Sequence, residues 1–142
     1  MRTLHNACLT LIGLTIYLNV AQAEVIVIVS NKNPTKSLSA EQASDIFIGK
    51  AAYFPSGSRA VPIDQNEGSL MRDDFYQKSC GKTSAQMKAH WAKMLFTGRG
   101  QPPVESGDSG SIKRLVAENP NLIGYVDKKD VDNSVKSLLV LH

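Results

Sequence analysis

Val61-Pro62-Ile63-Asp64-Gln65-Asn66-Glu67-Gly68-Ser69-Leu70-Met71-Arg72-Asp73-Asp74-Phe75 is the stretch on which the fold turns. The residues from Arg59 to Ile63 alternate as a short strand does, and positions 64–69 are polar turn formers. Gly68 and Ser69 stand where a helix should open, one expected to run to about Ser79 and to stop at Gly81. Leu70, Met71 and Phe75 are expected to face inward. A strand that hands over to a helix in this way is the unit of an α/β fold, and the rest of the chain repeats it.

Upstream, Glu24 to Val29 reads EVIVIV, a continuous β-branched run that suits a strand buried on both faces. Residues 30–34 stop it. Ser39 then caps a helix, with Gln42 completing a capping box, Ala43, Ile46 and Phe47 at helical spacing, and Gly49 as its end. Downstream, Thr83 or Ser84 caps a third helix whose Met87, Trp91, Met94 and Leu95 form a core stripe. Phe96 to Pro103 is too rich in Gly and Pro to be regular. Asp108-Ser109-Gly110-Ser111 opens a fourth helix, with Ile112, Leu115 and Val116 on one face, and Leu122–Val126 and Val135–Leu141 are the last strands. Strands and helices alternate, which predicts an α/β sheet covered by helices.

The chain has 142 residues with 16 Lys and Arg against 13 Asp and Glu, a formal net charge of +3. Arg2, the apolar run Ala7 to Val20 and Ala21-Gln22-Ala23 match an export signal, so residues 1–23 are expected to be removed by cleavage after Ala23. The run is shorter than the roughly 20 residues of a bilayer span. Cys8 opens it rather than closing it, which argues against lipidation. Residues 24–142 then make one domain, with Cys80 as a small apolar side chain and no internal disulfide.

At Gly68-Ser69, free backbone N–H groups and the positive end of a helix dipole make a place for an anion. Gly68 lets a ligand approach the backbone, Ser69 offers a hydroxyl and Arg72 a charge; a serine before a helix is also an ordinary cap. The mouth at Asp108-Ser109 is similar, but Asp108 repels an anion. Arg99, between two glycines, could reach a ligand or stand in solvent. Other chemistries find little support. The three histidines (His5, His90, His142) are scattered, so neither a metal site nor a cofactor is expected. No Gly-x-Ser-x-Gly elbow or paired acid and base is present, so no catalytic residue is assigned and an enzyme is not expected. Basic residues form no long run, which speaks against nucleic acid or a membrane surface as partner.

Three blocks carry a family resemblance. Residues 38–50, LSAEQASDIFIGK, look like the "helix then I-F/Y-x-G-K" segment of the phosphate-binding proteins of phosphate ABC transporters. Asn66-Glu67-Gly68-Ser69 resembles their phosphate loop, and Asn119 to Asp127, NPNLIGYVD, is similar to their "P-x-A-I-G-Y-V-E" ending. The order agrees, and Trp91 with Phe96-Thr97-Gly98 resembles short, single-domain members grouped with them. The resemblance implies one lobe of a type II periplasmic-binding-protein-like fold, a mixed sheet of four to five strands flanked by helices. It places phosphate or a similar oxyanion at Gln65, Glu67, Gly68 and Ser69, to which the residues themselves add Arg72, one turn into the helix, as a charge in place of the family's arginine. Ser30 and Asn31 join these if the sheet is parallel at the first strand, since ligands prefer the carboxyl ends of strands.

The family loop usually reads Arg-x-Asp/Glu-Gly-Ser-Gly-Thr. Here Gln65 stands at the arginine position, and Leu70-Met71 replace Gly-Thr. A charge-assisted hydrogen bond is worth about 1.5–3 kcal/mol, so these changes weaken binding on the order of a hundredfold or more. The family's full-length proteins also close two lobes on the ligand, and this chain matches one. The expected role is therefore weak oxyanion binding in phosphate transport or sensing, in a periplasm, with an ABC permease or a membrane sensor as partner. The alternative is a single-lobe adaptor that has exchanged anion binding for contact with a protein. A homodimer that rebuilds a two-sided cleft lies between them.

Overall fold

The computed structural model describes residues 15–18 and 23–142; most of the expected export signal, and with it the test of cleavage after Ala23, lies outside the described residues. The elements are β1 (Val25–Ser30), α1 (Ala40–Phe47), β2 (Val61–Asp64), α2 (Leu70–Cys80), α3 (Ser84–Phe96), β3 (Val104–Glu105), α4 (Ser109–Glu118), β4 (Leu122–Asp127) and β5 (Val135–Leu141). A 3₁₀ turn, Lys128–Asp130, follows β4.

The five strands form one mixed sheet in the order β3-β2-β4-β1-β5. β2 runs parallel to β3 and β4, whereas β1 is antiparallel to both β4 and β5. Every residue of β1 is buried, and the pleat divides them. Val25, Val27 and Val29 enter a core with Phe47, Phe75, Trp91 and Tyr125, while Ile26 and Ile28 meet Ile63, Ile112, Val116 and Val126. The unbroken apolar run is thus the signature of a central strand covered on both faces.

Local capping places the helices as their sequences predict. Ser39 and Thr83 close capping boxes with Gln42 and Gln86, and Gly81 ends α2 in the left-handed region at φ 68°. On the aromatic side, Phe75 stacks on Tyr125 with ring centroids 4.0 Å apart, fixing α2 against β4. On the other side α4 lies so close to the sheet that a Cβ on Gly124 would sit 2.5 Å from Ile112 Cγ2, inside any tolerable contact.

Three inward-facing expectations are corrected. Leu70 is 85% exposed at the start of α2, and Leu95 and Leu115 are also exposed. The helical stripes are narrower than the sequence pattern suggests, because α2 and α3 turn only Phe75, Tyr76, Met87 and Trp91 fully toward the sheet. β3 is unforeseen: two residues with no periodicity, recruited to the sheet edge by pairing beside β2. No helix among the described residues is long and apolar enough to cross a membrane.

Candidate functional site

β2 and β4 run in the same direction, so their carboxyl ends, Asp64 and Asp127, share one edge of the sheet. The helices that open there are α2, after the turn at residues 65–69, and α4, after β3. Gly68 adopts φ 87°, a conformation that suits glycine, and it turns the chain into the cap. Ser69 caps α2 by accepting the Arg72 N–H at 3.2 Å.

Beneath this mouth is a buried polar knot. Asp64, 2% exposed, accepts hydrogen bonds from the hydroxyls of Tyr76, at 2.6 Å, and Tyr125. The Arg72 Nε lies 3.6 Å from the same carboxylate. Burial raises the Asp64 pKa above its ordinary value, against the opposing pull of the two tyrosines, Arg72 and the Gln65 backbone. Burial and the neighbouring carboxylate push both tyrosine hydroxyls well upward, so they stay protonated donors. Burial pulls Arg72 down, yet Asp64 and Glu105 more than offset it and hold the guanidinium charged.

Gln65 links the two helix mouths. Its Nε2 donates to Ser109 Oγ at 3.0 Å and to the Tyr125 carbonyl at 3.2 Å, while its Oε1 accepts from Ser69 Oγ at 3.0 Å. The side chain is 3% exposed and all of these bonds are internal. Ser69 has likewise used its hydroxyl as donor to Gln65 and as acceptor from Arg72.

Arg72 turns back over the end of β2 rather than into solvent. Its Nη1 donates to the Gln65 carbonyl at 3.0 Å and to Glu105 Oε1 at 2.6 Å. Glu67 points the other way and pairs with Lys88 of α3 at 2.6 Å, which lowers its pKa. Beside the two mouths, Gln65, Met71, Ser109, Gly110 and Lys129 line an open cleft of about 450 Å³ with three carboxylates, Asp108, Asp127 and Asp130. Asp108 caps α4 through Ser111 N–H at 2.9 Å.

Of the residues singled out in the sequence, the structure brings Gln65, Glu67, Gly68, Ser69 and Arg72 together and sets Ser30 and Asn31 apart. The first strand is antiparallel to β4, with Val25 opposite Asp127 and Val29 opposite Ile123, so its carboxyl end lies at the far edge. There Ser30 Oγ contacts the Ala117 carbonyl at 3.4 Å and Asn31 Nδ2 donates to the Asn133 carbonyl at 2.7 Å. Asp64, Tyr76, Tyr125, Ser109 and Glu105 were not foreseen as parts of this site. Asp64 at the end of an apolar strand was the available signal, since a carboxylate there must find donors. Among the described residues no group of three or more His, Cys, Asp or Glu side chains is placed to hold a metal ion.

The arrangement defines a class: one α/β lobe of the periplasmic-binding-protein-like type, with two helix mouths meeting at the carboxyl ends of parallel strands. Solved structures of phosphate-transport proteins share that fold. A candidate phosphate ABC transporter substrate-binding protein from Clostridium perfringens, with bound phosphate, superposes with a TM-score of 0.64 at 28% identity over 82% of this chain and 45% of that one. An ABC-type phosphate transport receptor from Vibrio cholerae gives 0.65 at 20% identity over 82% and 46%, and PstS from Borrelia burgdorferi 0.61 at 14% over 82% and 47%. This chain therefore spans a little under half the length of each. No protein-family model matches the sequence.

Proposed function

We propose that the chain is an exported, non-catalytic protein of the solute-binding type that acts in phosphate transport or sensing and holds phosphate or a similar oxyanion weakly at the mouth of α2. The observation that carries this reading is the pairing of fold with turn. The lobe is similar to that of a structure determined with phosphate, and the turn at residues 66–69 opens α2 with Gly68 at positive φ and Ser69 as cap. Weakness follows from the partners already in place. Gln65 is neutral and internally bonded, the Ser69 hydroxyl is engaged on both sides, and Arg72 is held between two carboxylates. The acidic residues around the adjoining cleft add repulsion.

The test is calorimetric titration of inorganic phosphate into the domain 24–142, together with its thermal midpoint. Binding in the millimolar range and a midpoint that rises with phosphate by linkage are expected, and Ser69→Ala reduces both. A folded, ligand-free sample that shows neither at millimolar phosphate removes the reading. Export predicts that protein recovered from an envelope fraction has a mass beginning at Glu24.

One observation favours the adaptor reading. Leu70 stands 85% exposed at the mouth, beside the half-buried Met71, in the positions where the family loop carries small residues. Side chains there suit contact with a protein such as an ABC permease, a membrane sensor or a second copy. A stoichiometric partner whose binding is indifferent to phosphate, and is lost in Leu70→Asp, would establish it.

A further inference from the structure

Glu105 sits on β3, the two-residue strand at the edge of the sheet. One of its oxygens, Oε1, accepts both from Arg72 Nη1 at 2.6 Å and from the backbone N–H of Glu67 at 3.1 Å. A guanidinium and a backbone amide converging on one oxygen is the donor set that a bound oxyanion uses. The carboxylate reaches it because the backbone brings it there. Glu105 is in register with Asp64, Ser106 N–H donates to the Asp64 carbonyl at 2.8 Å, and Asn66 exchanges two bonds of 3.2 Å with Gly107.

The two carboxylates on Arg72 differ in what they can do. Asp64 is buried and fixed by two tyrosine hydroxyls. Glu105 has 47% of its side chain exposed, so water can take over its hydrogen bonds after a simple side-chain rotation. Arg72 therefore has one permanent counter-ion and one exchangeable one.

We propose that Glu105 is an internal competing anion that sets the affinity of this mouth, and that an oxyanion engages Arg72 and the Glu67 amide only by displacing it. The proposal rests on the reading of the α2 mouth as an oxyanion site. A tethered competitor acts at a high effective concentration, so its removal strengthens binding without adding a contact.

The experiment titrates inorganic phosphate, at fixed ionic strength, into the wild-type domain, Glu105→Gln and Glu118→Gln. Glu118, exposed at the far end of α4, reports the effect of removing one negative charge anywhere. Glu105→Gln is expected to bind on the order of tenfold tighter than wild type or better, with Glu118→Gln close to wild type. In wild type, phosphate should also shift the Glu67 amide and Arg72 Nε resonances together. Equal affinity of wild type and Glu105→Gln, or an equal gain in Glu118→Gln, overturns the competing role while leaving the phosphate site standing. No binding by any of the three, each with an intact thermal transition, overturns both.

Discussion

The mouths of α2 and α4 open on the same edge, a Gln65 side chain apart, and each has been given a carboxylate by the chain itself. At α4 it comes from the cap, Asp108, whose pKa is lowered by the Ser111 backbone it holds. At α2 the cap is the neutral Ser69, and the carboxylate arrives from Glu105, distant in sequence and attached to a sheet edge. An anion built into a cap cannot leave without uncapping the helix. One delivered from an edge strand can, and this is why only the α2 mouth combines a cation with room for exchange.

Breaking the foundation under the α2 mouth should have the largest effect. Asp64→Ala leaves two buried tyrosine hydroxyls without their acceptor and Arg72 without one of its two counter-ions, and a loss of about 3–5 kcal/mol in unfolding free energy is expected from urea titration. Removing the bridge between the mouths comes next. Gln65→Ala strips partners from Ser69, Ser109 and the Tyr125 carbonyl and should cost about 1–3 kcal/mol.

The pH response sharpens the comparison further. Because the folded pKa of Asp64 is raised, the folded state binds its proton more readily than the unfolded chain. That contribution is fully present below the ordinary carboxylate value and is lost as pH rises through the raised one. Asp108 has the opposite sign, stabilising above the ordinary value and losing its effect as pH falls through the lowered one. Subtracting the urea midpoints of Asp64→Asn from those of wild type across pH should therefore give a difference that falls as pH rises above the ordinary carboxylate range. A flat difference would remove Asp64 as the titrating group. The smallest effect separates the mouths by ligand. Asp108→Ala and Ser69→Ala both lower the thermal midpoint, but phosphate response should fall only in Ser69→Ala.

Much of this was legible beforehand, for physical reasons that differ by element. β1 could be read because burial on both faces leaves no room for a polar residue, and α1 and α3 because their capping boxes are local. The turn at residues 65–69 could be read as a helix mouth for the same reason. The direction of β1 could not, since strand polarity is decided by partners far along the chain, and with it went Ser30 and Asn31. Leu70 misled because an apolar residue in the first turn satisfies the helical period without reaching the sheet. β3 and Glu105 were invisible to pattern. A two-residue strand has no period, and a carboxylate whose partner is an arginine on another element leaves no local trace.

The placement of β1 inside the sheet, between β4 and β5, also has a consequence in time. Val25, in the first strand of the sheet to be synthesised, pairs with Asp127 and Leu141, in the last two. This fully buried strand thus has neither of its neighbours until β4 and β5 have been made. Long-range pairing of this kind makes folding slow and late, because the loop must close before any contact rewards it. Until those strands arrive, the β-branched run Val25–Val29 has no sheet to join, and an unpaired apolar strand of this kind is prone to aggregate.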